Sequence, residues 1–231
     1  MKVQQTILVS GAAGNLGQAV VNCFLAANWQ VVGLVHKKKE REALERYEEY
    51  VINLNDESTT QEVVATILEK YQQIDAVVLT AGGFNFGVIE TTTSDQLLSL
   101  YQLNFLTAYN LVKPLLAHFK QQTRGKIFFI GSLQGQKTSQ GTEVVAYALS
   151  KSLLFQLSNI INAENANERI QSYVVVPTII DTPQNRAAMP AADFTQWQSP
   201  ENIASIIYRY TLNDSTTPDK ILEVAKLSHS V

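Results

Sequence analysis

The chain has 231 residues, 45% of them hydrophobic and 17% charged, with a formal net charge of -3. That length suits one α/β domain without room for a second, and the charge balance offers no basic face for nucleic acid. A single cysteine, Cys23, excludes an internal disulfide, and among Val20, Val21, Phe24 and Leu25 it reads as a small packing residue.

From Met1-Lys2 the sequence runs directly into an apolar strand at residues 6–9, without a signal-like segment. No apolar run reaches the roughly 18 residues of a membrane span, so a cytoplasmic protein is expected. Further strands are expected at 30–35, 50–53, 76–80, 126–130, 171–176 and 220–224. Helical periodicity covers 16–27, 38–47, 58–71, 94–120, 143–165 and 200–212. Strands alternating with helices predict one α/β domain over residues 1–231, a doubly wound parallel sheet with helices on both faces. His36, His118 and His229 lack metal-ligand spacing, so no metal site is expected.

Chemistry in such a sheet gathers where the strands end. After the first strand come Gly11, Gly14 and Gly17 at intervals of three, with Asn15 and Leu16 between them, opening a helix. Glycines there let main chain approach a pyrophosphate, and the helix N-terminus attracts its charge. After the second strand, a carboxylate that would accept hydrogen bonds from an adenosine ribose is missing. His36, Lys37, Lys38 and Lys39 stand there instead, which favours NADP(H) over NAD(H), and an aspartate placed at Val35 is expected to reverse the preference. Asn53 and Leu54, after the third strand, are candidates for the adenine edge. Ala81, Gly82 and Gly83, after the fourth, let main chain come close to the cofactor.

Tyr147 and Lys151 lie four residues apart on a predicted helix, so both side chains share one face. A cation beside a phenol favours phenolate, and the pair is expected to exchange a proton near neutral pH. Ser132 follows the fifth strand, where its hydroxyl could meet a substrate oxygen. Asn104, a poor helix former inside a long helix, should have a tertiary reason to be there.

In order and approximate spacing, Tyr147 with Lys151, Ser132, Asn104, the glycine segment, and Pro177 with Thr182 resemble the motif set of the short-chain dehydrogenase/reductase family over nearly the whole chain. That resemblance implies a Rossmann-type sheet, with Tyr147 as the acid and Lys151 lowering its pKa and holding the nicotinamide ribose. It further implies that Ser132 orients substrate, Asn104 holds a water in a proton relay, and Pro177 and Thr182 border the cofactor. Within the family the sequence is most similar to dihydropteridine reductases. Carrying that likeness are the glycine segment, Asn28-Trp29, Ala81-Gly-Gly-Phe84, and the long stretch from Asp181 to Trp197. The stretch would form a lid at about 181–199, with Met189 and Trp197 over the substrate and Phe84 opposite Trp197 as an aromatic wall.

Two departures separate the chain from that branch. Dihydropteridine reductases carry an aspartate after the second strand and prefer NADH, and they lack the serine and asparagine that Ser132 and Asn104 supply here. The resemblance itself implies hydride transfer to a quinonoid dihydropterin or similar conjugated acceptor. General NADPH-dependent carbonyl reduction is the alternative, and a non-catalytic dinucleotide sensor a third reading. A small-molecule substrate and a homodimer or homotetramer are the expected partners, with neither nucleic acid nor membrane.

Overall fold

The computed structural model describes residues 4–38, 43–166, 168–213 and 220–227. Seven strands form its centre: β1 (Thr6–Ser10), β2 (Gln30–Val35), β3 (Tyr47–Val51), β4 (Ala76–Leu79), β5 (Arg124–Ile130), β6 (Arg169–Val176) and β7 (Ile221–Glu223). They make one sheet in the order β3-β2-β1-β4-β5-β6-β7, with every pairing parallel. The helices of the described residues are α1 (Asn15–Ala26), α2 (Glu57–Tyr71), α3 (Ser94–Tyr101), α4 (Thr107–Gln122), α5 (Leu133–Gln136), α6 (Val145–Glu164), α7 (Pro183–Ala188), α8 (Pro200–Leu212) and α9 (Val224–Leu227).

Side chains of a strand alternate between its faces, so the continuous apolar runs of the inner strands feed two cores at once. Val9, Phe128, Tyr173 and Val175 meet Phe24 of α1 and Ile203 and Ile207 of α8 on one face. Leu8, Phe129 and Val174 meet Ile67, Leu111 and Leu154 of α2, α4 and α6 on the other. Cys23 is partly buried against the first core, and burial pushes its thiol above the ordinary range, as suits a packing residue. No helix among the described residues is long and apolar enough to cross a membrane. No group of three metal-ligating side chains occurs among them either.

Two expectations need correction. The helix at 38–47 is absent where the chain is described; residues 39–42 lie outside the described residues, and Tyr47 already belongs to β3, paired with Val31. Its ring fills the space that Gly33 leaves open, where a Cβ would come within 2.1 Å of the Tyr47 hydroxyl. The third strand accordingly begins three residues earlier than expected, as a half-exposed edge strand in which Glu48 bonds Lys70 and Tyr71 of α2. The long helix at 94–120 is interrupted by a π-helical turn at Gln102–Leu106, which contains Asn104. In the segment at 181–199, Thr182 caps α7, Pro183 takes its first turn, and a 3-10 turn follows at Phe194–Gln196.

Strand order reverses between β1 and β4. There the Thr80 hydroxyl donates to the Ser10 carbonyl oxygen (2.6 Å) and the Ala81 N–H to the Ser10 hydroxyl (3.4 Å), fixing the two carboxyl ends side by side.

Candidate active site

Gly11 leaves β1 at φ 65°, a conformation that favours glycine, and a Cβ there would lie 2.9 Å from the Ala81 nitrogen and the Thr80 hydroxyl. The Gly14 N–H donates back to the Gly11 carbonyl (2.9 Å). At Gly17 a Cβ would stand only 2.2 Å from the same oxygen, so the loop closes directly on the first turn of α1. Gly14 caps that helix without a side-chain hydrogen bond, and Gly14 and Asn15 are exposed. An uncapped helix N-terminus behind a tight glycine loop fits the pyrophosphate of a dinucleotide. Leu16 is buried in the core below, so it offers only main chain to a ligand. The Asn15 amide donates to the Gln184 side-chain oxygen of α7 (2.8 Å), tying the loop to the segment at 181–199.

Across the sheet, α6 carries Tyr147 and Lys151. Lys151 is buried, with its Nζ donating to the Ile130 carbonyl (2.8 Å) and lying 5.9 Å from the centroid of the Tyr147 ring. Ser132 caps α5 by accepting the Gly135 N–H (3.1 Å). Gly135 lets α5 approach α6 closely, since a Cβ there would stand 2.7 Å from the Lys151 Cβ. Burial pushes the Tyr147 phenol up from its ordinary value, while the Ser132 hydroxyl, within hydrogen-bonding reach, pulls it partly back. Burial also drives Lys151 down to about 8. The expected depression of the phenol by the lysine cation is therefore not what the structure gives. Desolvation disfavours the charged form of both groups, which keeps Tyr147 in the protonated state that a proton donor needs.

The lysine leads to a prediction in stability. Its folded pKa, about 8, lies below its ordinary 10.5, so the unfolded chain binds more protons between these values and stability from this group rises with pH across that window. Below it the burial penalty is present in full. Chemical unfolding of the wild type and of Lys151→Met from pH 7 to 10 should show the wild type gaining on the variant as pH rises; parallel curves would mean that Lys151 is not desolvated.

Asn104 is buried in the π-helical turn. Its Oδ1 accepts the Gly83 N–H (2.8 Å), and its Nδ2 donates to the Gly83 carbonyl (3.1 Å) and the Ser150 hydroxyl (2.9 Å). The side-chain amide is thus spent on protein partners, which is the tertiary reason expected for it. A Cβ on exposed Gly82 would meet the Asn104 Oδ1 at 2.7 Å and the Lys151 Nζ at 3.3 Å, so the loop after β4 passes directly over both. Phe84, 51% exposed, sets its ring 4.9 Å from that of Tyr147 and 4.8 Å from Phe86. The sequence reading missed Phe86, Gly135 and Ser150. Of these only Ser150 had a signal, as a small polar residue between Tyr147 and Lys151.

The remaining candidates fall around this centre. Val35 is buried in the first core, whereas His36 and Lys37 are exposed just beyond β2. Exposed Asn53 accepts the Asn55 N–H (3.2 Å) in a turn. Leu54 is buried, its carbonyl held by Asn110 (2.9 Å). Pro177 is buried at the end of β6, and Thr182 accepts the Asn185 N–H (3.2 Å) as the cap of α7. Met189 and Trp197 are half-buried. Trp197 packs on Phe194 (4.7 Å), which Arg186 also covers (4.8 Å). Phe84 thus clusters with Phe86 and Tyr147, and Trp197 with Phe194. The base of the segment is pinned where Ile180 pairs with Gln198. A cavity of about 200 Å³ bordered by Arg124, Lys126 and Arg169 opens at the opposite edge of the sheet and holds none of these residues.

Comparison with known proteins gives a consistent pattern. The family model described as short chain dehydrogenase matches residues 5–193. Among curated proteins, the 3-oxoacyl-(acyl-carrier-protein) reductase FabG of Thermotoga maritima is 24% identical over 225 residues, covering 90% of this chain and 91% of its own. The dihydropteridine reductase of Dictyostelium discoideum is also 24% identical, over 220 residues, covering 94% and 91%. Among solved structures, ElxO with NADP bound superposes with a TM-score of 0.86 at 19% identity, covering 98% of this chain and all of its own. The ligand-free aldohexose dehydrogenase of Thermoplasma acidophilum gives 0.81 at 20%, covering 95% and 91%.

Proposed function

Because the chain belongs to the short-chain dehydrogenase family and is an oxidoreductase of that family, we propose that it reduces a carbonyl group, with Tyr147 giving its proton to the acceptor oxygen and Ser132 orienting that oxygen. The observation that carries this reading is the half-buried Tyr147 phenol beside the Ser132 hydroxyl, with the Lys151 Nζ 5.9 Å from its ring centroid. Two hydroxyls side by side can both address one oxygen, the arrangement that carbonyl reduction uses. A nicotinamide cofactor supplies the hydride. Main chain of Gly11, Gly14, Asn15 and Gly17 would hold its pyrophosphate and Lys151 its ribose; Ala81, Gly82, Gly83, Pro177 and Thr182 would border it. Asn104 fastens the loop that carries Gly82 and Gly83. Residues 181–199, carrying Met189 and Trp197, would serve as the lid.

The sequence places a quinonoid dihydropterin first, and one feature keeps that acceptor as the second reading: the exposed Phe84 ring beside Tyr147, with Phe86 next to it, offers a flat apolar wall to a conjugated ring. The similarity to the Dictyostelium reductase agrees with it. Following NADPH oxidation by the purified protein with small ketones, aldehydes, a β-keto thioester and quinonoid dihydropterin separates the two. Faster turnover of a simple carbonyl supports the first reading, and turnover of the pterin alone overturns it.

NADPH is the proposed cofactor, since His36, Lys37 and Lys38 are exposed beyond β2 and can address a 2′-phosphate. The NADP-bound neighbour is compatible with this choice. Calorimetry should find NADPH bound about tenfold or more tightly than NADH, a difference of roughly 1.4 kcal/mol. Val35→Asp should reverse the order; equal affinities in the native protein would remove the argument.

A homodimer is proposed across the outer faces of α3 and α6, where exposed Leu98, Tyr101 and Leu149 border an apolar groove of about 270 Å³. Leu149→Glu should yield monomers in sedimentation analysis; unchanged association would place the interface elsewhere.

A further inference from the structure

Phe84 and Tyr147 are joined twice. Their rings touch directly, with centroids 4.9 Å apart at 67°. A second connection runs through buried side chains. Gly83, immediately before Phe84, gives its N–H to Asn104 Oδ1 and receives Asn104 Nδ2 on its carbonyl. The same Nδ2 donates to the Ser150 hydroxyl (2.9 Å), and that hydroxyl donates to the Tyr147 carbonyl (2.8 Å). Ser150 is 3% exposed and Asn104 1%. Hydrogen-bonding roles in this chain are fixed without ambiguity. The Gly83 N–H requires an oxygen, so the amide nitrogen of Asn104 must face Ser150, and Ser150 must accept from it and spend its only proton on Tyr147. The π-helical turn moves Asn104 to where it can reach both the loop after β4 and α6.

We propose that Ser150 is a positioning residue that sets the aromatic wall of Phe84 against the Tyr147 phenol, and so governs the binding of flat acceptors rather than the proton transfer itself. This rests on the reading of Tyr147 as proton donor and of Phe84 as facing substrate. A ring standing beside the proton donor must hold its place for a planar acceptor to stack at a fixed distance from the phenol. The link through Asn104 and Ser150 supplies that constraint through the main chain on either side of the ring contact, at Gly83 and at Tyr147.

The test compares Ser150→Ala, Phe84→Ala and the double variant, using an aromatic ketone and a small aliphatic one. Ser150→Ala should raise KM for the aromatic ketone about five- to tenfold, the range of a lost buried hydrogen bond. It should leave kcat, its pH profile and KM for the aliphatic ketone unchanged. The double variant should match Phe84→Ala, because Ser150 acts through that ring. Additive effects on KM, or an altered pH profile of kcat, would overturn the proposal. Should Ser150→Ala not fold, Ser150→Cys fills the same space with a weaker hydrogen-bonding group and should shift KM in the same direction. Hydrogen exchange of the Gly83 amide in the cofactor-free protein keeps the clamp testable apart from the function. Faster exchange in the Ser150 variant supports the clamp even if no ketone is reduced, and unchanged exchange overturns it.

Discussion

Replacing Tyr147 by phenylalanine should preserve the fold and cofactor binding yet lower turnover by roughly 10²-fold or more, the scale of a lost general acid. The substitution removes one hydroxyl and leaves the ring that Phe84 packs against. Burial holds that hydroxyl protonated, so the substitution removes the proposed proton donor while leaving Ser132 and Lys151 in place. Calorimetry for NADPH and circular dichroism should be indistinguishable from wild type. Turnover at the wild-type rate would show that the proton comes from elsewhere.

Gly17→Ala is the second large effect. Its Cβ would lie 2.2 Å from the Gly11 oxygen, 2.8 Å from the Gly11 carbonyl carbon and 2.9 Å from the Ala12 Cα, all main chain. Backbone cannot turn aside as a side chain would, so the loop or the start of α1 must move, at a cost of about 1–3 kcal/mol in stability. The shift also displaces the N–H groups proposed for the pyrophosphate, and NADPH affinity should fall by at least tenfold, or about 1.4 kcal/mol. If Gly17→Ala bound NADPH as wild type does, the loop would not be the cofactor cradle.

Much of the sheet was legible because strands buried on both faces leave continuous apolar runs, as in Ile7 to Val9 or Tyr173 to Val176. The edge strand β3 was not, since Glu48 and Glu49 are half-exposed and the charges before them imitate a helix. Its register is set instead by the Tyr47 ring over Gly33, a contact 14 residues apart in sequence. Asn104 announced itself as a misfit within a helix. The π-helical turn that explains the misfit depends on partners in the β4 loop and α6, which local spacing does not encode.

In the candidate site, the spacing of four between Tyr147 and Lys151 was enough to place both on one face of α6. The direction of their titration was not readable, because it turns on burial rather than on their proximity. Likewise, basic residues after β2 were visible, but that Val35 is buried in the core while His36 and Lys37 stand exposed beyond it was not. Aromatic residues in the segment at 181–199 were visible as well. Which ring each would meet depended on the pinning of that segment at Ile180 and Gln198.

The most direct measurement is nicotinamide absorbance during reaction of the purified protein with NADPH and the acceptor panel, run side by side for wild type and Tyr147→Phe. NADPH oxidation by wild type with at least one carbonyl acceptor, lost in the variant while NADPH binding is retained, is the predicted result. Absence of oxidation with every acceptor despite NADPH binding, or equal rates in the two proteins, would contradict the assignment of carbonyl reduction to Tyr147.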